Sequence, residues 1–191
     1  MSERPFIIVG GGGHARVVAS TLRELGASIL GFTDPDSDAS LEDIEHLGSD
    51  AALADYTPSE VALTVGVGSV ESTTRRARLF NEVRSNDFDC PTVIHPNAFV
   101  ASEASIGSGS QVIAGAVIQT GTTLAENVIV NTNASLDHDC EIGAHTHVAP
   151  GVTVSGEVSL GARVHVGTGA SLIEGVHVGA LSVVGAGAVV I

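Results

Sequence analysis

The second half of the chain carries an apolar residue at every sixth position. From Val100 the series runs Ile106, Val112, Ile118, Leu124, Val130, Leu136, Ile142, Val148, Val154, Leu160, Val166, Leu172, Val178, Val184 and Val190, and Ile94 extends it backwards by one step. Four residues after each member stands a small or β-branched one, such as Ala104, Ser110, Ala116, Thr122, Ala134, Cys140 and Thr146, continuing to Ala188. An amphipathic helix repeats near 3.6 residues and a half-buried strand at two, so a strict six fits neither. It is the hexapeptide signature of a parallel β-helix, a triangular prism in which each six-residue unit forms one flat side. Residues 18 apart then stack one strand spacing apart, about 4.8 Å. The branched residue fills the prism, and the second position stays small because a larger side chain would overpack. The repeat runs from residue 94 to 191 without an insertion, so no long loop leaves the prism to build a site.

The first 90 residues follow a different pattern. "FIIV" is a short β-branched run, the four glycines after it form a turn, and Val17, Val18, Leu22 and Leu25 mark one side of a helix. Gly10, Gly12 and Ala15 satisfy G-x-G-x-x-A, "SILGFTD" ends a second strand at Asp34, and "VALTVGVG" (61–68) precedes a helix over "STTRRARLFNEVR". Residues 1–90 are therefore expected to form a small Rossmann-like α/β domain and residues 91–191 the β-helix. In such a domain ligands bind at the carboxyl ends of the strands. The glycine loop admits a phosphate at a helix N-terminus, whether of NAD or of a nucleotide sugar, or is simply a tight strand-to-helix turn. About 90 residues hold one mononucleotide-binding half, which stands against NAD.

Composition narrows the function classes. A chain of 191 residues buries a real core as one or two small domains. With 43% hydrophobic residues but 3% aromatic ones and no Trp, that core is built of Val, Ile, Leu and Ala, which suits short regular strands. The 22 acidic residues face 8 basic ones, all Arg, for a formal net charge of −14. Such a surface repels nucleic acid and anionic lipid, which excludes both as partners. Lys-free acidity also suits a salt-rich cytoplasm, where screening tolerates the self-repulsion, although a GC-rich genome explains it more plainly. After MSERP the apolar run is too short for a signal peptide and nothing later is long enough to span a bilayer, so a cytoplasmic location is expected. Cys90 and Cys140 lack paired spacing and read as small buried residues rather than a disulfide.

Together, "IIVGGGGHARVV", "GFTD", "PTVIHPNAFV" and "VNTNASLDHDCEIGAHTHVAPGV" resemble the sialic-acid O-acetyltransferase and amino-sugar N-acetyltransferase family of hexapeptide acyltransferases. The resemblance implies a left-handed β-helix, homotrimers with sites in the clefts between neighbouring prisms, and metal-free acetyl transfer from acetyl-CoA. The acceptor it implies is a sugar, often a nucleotide-linked 4-amino sugar used in surface-glycan (polysaccharide) biosynthesis. N-acetylation is the expected reaction and O-acetylation of a sialic-acid-like hydroxyl the alternative, since one base serves both.

A sugar amine attacking a thioester must lose a proton, and a histidine, with an ordinary pKa of about 6.5, takes it near neutral pH. His138, two residues after inward Leu136, is expected mid-wall and pointing outward. The resemblance makes it the general base and Asp139 its carboxylate helper, which stabilises imidazolium. Neighbours on a flat strand point to opposite faces, so Asp139 needs a distorted or corner position, and a solvated corner charge is its other reading. Asn131 matches a site asparagine that orients the sugar amine or the acetyl carbonyl; equally, Asn suits a prism corner because it tolerates positive φ. His147 matches an acetyl-CoA contact. His165 is expected to stack with it, 18 residues on, yet to lie at the surface, as are His145 and His177. Gly167, Thr168 and Ala186 match positions where backbone amides lie along pantetheine. Gly12, Gly13, His14 and Asp34 match nucleotide-sugar contacts, with His14 capping the loop beside a diphosphate. Arg75 and Arg76 either meet phosphate or form a solvated helix face. Cys140, in the small inward series, is expected to be buried, which argues against an acyl-enzyme.

Two other function classes compete. The same fold hosts γ-type carbonic anhydrases, but these place two zinc-binding histidines five residues apart, whereas the gaps from His138 onward are 7, 2, 18 and 12. A non-catalytic sugar-nucleotide-binding protein is the other class, for which His138→Ala changes nothing. Family members usually continue past the last coil with a segment that covers the prism end and helps to hold the coenzyme. This sequence ends at "AVVI", which implies a shortened chain or an end protected by another chain, and acetyl-CoA affinity is the property at stake.

Overall fold

The structure is a computed structural model that describes residues 4–69 and 72–191. The reading of the N-terminus as no leader falls partly on residues 1–3, outside the described residues.

The four residues of β1 (Phe6–Val9) are all buried, as befits the central strand of a parallel sheet covered on both faces. It lies between β2 (Ile29–Thr33) and β3 (Ala62–Val65). The two helices cover opposite faces. Val18 and Leu22 of α1 (Gly13–Glu24) pack on Phe6, Ile8 and Phe32, with Leu25 alongside, while Leu79, Phe80 and Val83 of α2 (Thr74–Ser85) pack on Ile7, Val9 and Leu63.

The prism starts at β4 (Val93–Ile94), whose Val93 also joins the core under α1. From there two-residue strands recur every six residues to β20 (Val189–Val190) and stack into parallel sheets of six, six and five strands. The first wall runs from β4 to β19 (Val183–Val184), the second from β5 (Phe99–Val100) to β20, and the third from β6 (Ser105–Ile106) to β18 (His177–Val178). Strand partners differ by 18 residues, so Ile129 pairs with Gln111 and His147, and His147 with His165. Both sequence series point inward: Val112, Leu136 and Val166 fill one continuous core with Ala116, Cys140 and Ala170 beside them. Each buried branched side chain contributes about 1.5–3 kcal/mol, and the repetition replaces the aromatic residues this chain lacks.

The corners follow a third six-residue series, in which φ is positive. It runs Gly109, Gly115, Gly121, Asn127, Asn133, Asp139, His145 and Gly151, and continues to Gly187. Glycine enters this region freely, and Asn and Asp tolerate it best among the others. The series corrects the placement of His138. Each hexapeptide carries a two-residue strand and a two-residue turn, so the strand Ser135–Leu136 has ended before His138, which lies in the turn between the second and third walls.

Candidate active site

The corner brings His138 and Asp139 together. At φ +58° Asp139 no longer alternates with its neighbour, and its Oδ2 lies 3.0 Å from His138 Nδ1. Asp137 Oδ1 accepts the His138 backbone N–H at 2.8 Å and secures the turn. The hydrogen bond to Asp139 raises the His138 pKa; slight burial opposes it, and the charges of Asp137, Asp139 and Glu174 add to it. With its Nδ1–H given to a carboxylate, neutral His138 keeps a free lone pair on Nε2. The ring lies over Gly156 of the following coil, where a Cβ would stand 2.5 Å from both Cε1 and Nε2. Gly121 of the preceding coil makes the same kind of room for Asp139 Oδ1.

A second group lines the first wall. Asn131 Oδ1 accepts the Thr132 N–H at 2.8 Å, and its Nδ2 lies 3.0 Å from His147 Nε2. The corner residue of this hexapeptide is Asn133, so positive φ does not explain Asn131. His147 and His165 stack as expected, their rings 5.2 Å apart and nearly perpendicular. Ser69 Oγ sits between them, 2.8 Å from one Nδ1 and 2.9 Å from the other. The surface reading of His165 is corrected, since it is 7% exposed beneath the loop that follows β3. His145 is corrected too: its side chain is 12% exposed, held by Asn127 and the edge of Phe80. His177 is exposed. Ser69 was not legible as a site residue, because its role depends on how this loop packs on the prism.

Arg76 is fully buried, neither solvated nor turned to a phosphate, and donates to the carbonyls of Val65 and Val67 at 2.7 and 2.9 Å. Burial pulls its pKa down to about 9. Arg75 is exposed. The buried guanidinium acts on the histidines around it. His14 is pushed down to about 4 by burial and then by Arg76, against a hydrogen bond to Gln111. Burial also takes His147 well below the ordinary value, helped by His14, His165 and Arg76. The Gln111 amide donates to Thr64 Oγ1 and the Val65 carbonyl, so its Oε1 faces His14 and accepts from Nε2 at 2.7 Å. His14 thus faces the prism.

The glycine loop divides in two. Gly10 has φ +106° and Gly11 lies against Phe32, so both are required by the fold. Gly12 and Gly13 are exposed, and a Cβ on either would meet nothing within 4 Å. Gly12 caps α1 without a side-chain hydrogen bond, which leaves a helix N-terminus open to an anion. Asp34 Oδ2 accepts the Gly11 N–H at 2.7 Å and Oδ1 that of Asp36 at 3.0 Å. Partial burial pushes its carboxyl up, but these two donors and the Arg75 and His46 charges hold it below the usual range. At the other end of the first wall Thr168 and Ala186 are exposed. Gly167 is buried, and a Cβ there would lie 2.6 Å from the Ala186 nitrogen, so close stacking of coils explains this glycine.

Cys90 and Cys140 are free and buried. Burial raises the Cys140 thiol and Sγ donates to the Ser155 carbonyl, which disfavours a nucleophilic thiolate. Among the described residues, no group of three or more His, Cys, Asp and Glu is placed to hold a metal ion, and no helix is long and apolar enough to cross a membrane.

Within one chain the two groups stay apart. Asn131, at the end of its first-wall strand, and His138, at the far corner of the second wall, stand at opposite ends of one side of the prism. The 510 Å³ apolar cavity beside α2, lined by Leu53, Tyr56, Leu79 and Phe88, touches neither group.

Known proteins match this architecture in both halves. Residues 5–83 match the family described as PglD N-terminal domain, and residues 121–156 the bacterial transferase hexapeptide (six repeats). The acetyltransferase domain of PglB from Neisseria gonorrhoeae FA1090 is 35% identical, with a TM-score of 0.93 over 99% of this chain and 92% of that one. PerB from Caulobacter crescentus, solved with CoA and GDP-perosamine, is 34% identical, with a TM-score of 0.91 over 100% of this chain and 90% of that one. GDP-perosamine N-acetyltransferase of Escherichia coli O157:H7 is 31% identical over 81 residues, 42% of this chain and 37% of that protein's length. With near-complete coverage at this identity, and with matches in both halves, the chain belongs to the hexapeptide acyltransferase family, in the group whose β-helix follows a PglD-type N-terminal domain.

Proposed function

We propose that this protein transfers the acetyl group of acetyl-CoA to the amine of a nucleotide-linked amino sugar, acting as a cytoplasmic homotrimer in surface-polysaccharide biosynthesis. The observation that carries this reading is His138, with Nδ1 bound to a carboxylate and Nε2 free. His138 takes the proton that the amine sheds as it attacks the thioester carbonyl, and Asp139 stabilises the imidazolium until the proton passes to the departing CoA sulfur. Asn131 keeps one amide hydrogen beyond the one it gives His147, and offers it to the carbonyl oxygen where charge develops. Gly12, Gly13, the backbone of His14 and Asp34 receive the nucleotide, while Thr168, Ala186 and the backbone of Gly167 follow the coenzyme; the His14 ring itself is held by Gln111.

The distance between His138 and Asn131 supports the trimer. A site split between two corners of one prism is completed when the His138 corner of one chain meets the first wall of its neighbour. PerB, solved with CoA and GDP-perosamine, supports the choice of acceptor. The test is CoA release from acetyl-CoA in the presence of UDP- or GDP-linked 4-amino sugars, or of free sialic acid. Turnover with a nucleotide amino sugar is expected. Turnover with sialic acid alone replaces N- by O-transfer, and no turnover with any of them leaves a binding protein.

A further inference from the structure

We infer that Ser69 fixes the proton positions of the paired histidines His147 and His165, and through His147 holds the Asn131 amide in one orientation. The functional part of this inference rests on the reading above, in which Asn131 faces the acetyl carbonyl. The donors and acceptors run in one consistent direction. The Thr132 N–H donates to Asn131 Oδ1, so the nitrogen of that amide is the atom 3.0 Å from His147 Nε2. An amide nitrogen only donates, so Nε2 is the bare nitrogen of His147. The neutral ring then carries its proton on Nδ1 and donates it to Ser69 Oγ at 2.8 Å. Ser69 passes its single hydrogen to His165 Nδ1 at 2.9 Å, which leaves the His165 proton on Nε2. At 5% and 7% exposure the two rings have little access to water as an alternative partner, and burial keeps both neutral.

Both ring nitrogens of His147 are therefore used inside the protein. His147 is thus a positioning residue for the Asn131 amide. The opposite tautomer would set Nε2–H against the amide nitrogen, turn Asn131 over and break its bond to Thr132. Ser69 belongs to the loop after β3, where Gly68 packs so close to His14 that a Cβ on it would lie 3.3 Å from His14 Cβ. One hydroxyl thus ties the loop beside the nucleotide end of the site to the amide at the acetyl end.

The experiment is nitrogen-15 NMR of the imidazoles in the full chain, for wild type, Ser69→Ala and Ser69→Thr, with kcat and KM measured alongside. Wild type and Ser69→Thr should show His147 protonated on Nδ1 and His165 on Nε2. Ser69→Ala should move His147 toward Nε2–H and lower kcat about tenfold with little change in KM, less than the roughly 10²–10³ that loss of an oxyanion donor costs. An Nε2–H tautomer of His147 in wild type overturns the inference, as does a Ser69→Ala protein with unchanged tautomers. Should Ser69→Ala not fold, the wild-type spectrum decides alone. The assigned tautomers in a protein without acetyl transfer would refute the proposed function and leave the network standing.

Discussion

Gly156→Ala separates the geometry of the proposed base from the stability of the fold. A Cβ at this position stands 2.5 Å from His138 Cε1 and Nε2. Ordinary carbon contacts lie at about 3.5–4.0 Å, so the ring must retreat by about 1 Å. The backbone gives no resistance, because Gly156 is outside the positive-φ corner series and alanine fits its conformation. The clash falls on the end of a half-exposed side chain that is free to swing, so folding stability should stay within about 0.5 kcal/mol of wild type. Catalysis is less forgiving, since a displacement of about 1 Å costs on the order of 10² in rate. The assay is CoA release at saturating acetyl-CoA and acceptor, paired with a thermal melt. An unchanged melt with kcat down about a hundredfold is expected. A kcat within about a factor of two of wild type would refute the reasoning, because proton transfer would then not depend on where this ring sits.

Three further outcomes follow from the charges. Only neutral His138 acts as a base, so kcat/KM should rise with pH through its raised pKa; Asp139→Asn removes the leading cause and should move that limb to lower pH, which a pH–rate profile reads directly. The folded pKa of His14 is about 4 against about 6.5 unfolded, so the unfolded chain binds more protons between these values, and stability present above about 6.5 is lost as pH falls toward 4. Urea unfolding at pH 7.5 and 5 should show a loss on the order of 2 kcal/mol from this residue, absent in His14→Gln, although His147 adds a slope of the same sign. With a formal charge of −14, the melting temperature should climb between low and molar potassium chloride, and a flat response would remove self-repulsion as a factor in stability.

The prism was legible because its register is repeated, and one misplaced Val or Ala would have shown. The position of His138 was not, since the six-residue pattern marks which residues point inward but not where each strand gives way to its corner turn. The corner series was visible in Gly109, Gly115, Gly121, Asn127 and Asn133, and extending it one step to Asp139 would have placed the carboxylate beside His138. Burial on the first wall was hidden for a different reason. A repeat makes its walls look alike, and nothing in it says which one the N-terminal half covers, so His165 and His145 read as surface. The burial of Arg76 does have a sequence signal: it shares its helical face with Leu79, Phe80 and Val83, the spacing of a buried stripe. Ser69 carried none, because a loop serine becomes informative only once two histidines are found on either side of it.

In the proposed trimer His138 of one chain and Asn131 of another build one acetyl-transfer site, and mixing two inactive variants reveals whether they do. His138→Ala and Asn131→Ala proteins should each be nearly inactive alone while folding normally. Co-expressed, they assemble at random, and about a quarter of the interfaces combine an intact His138 with an intact Asn131, so about a quarter of wild-type CoA release should return. Mixed assemblies no more active than their parents would contradict a site shared between chains.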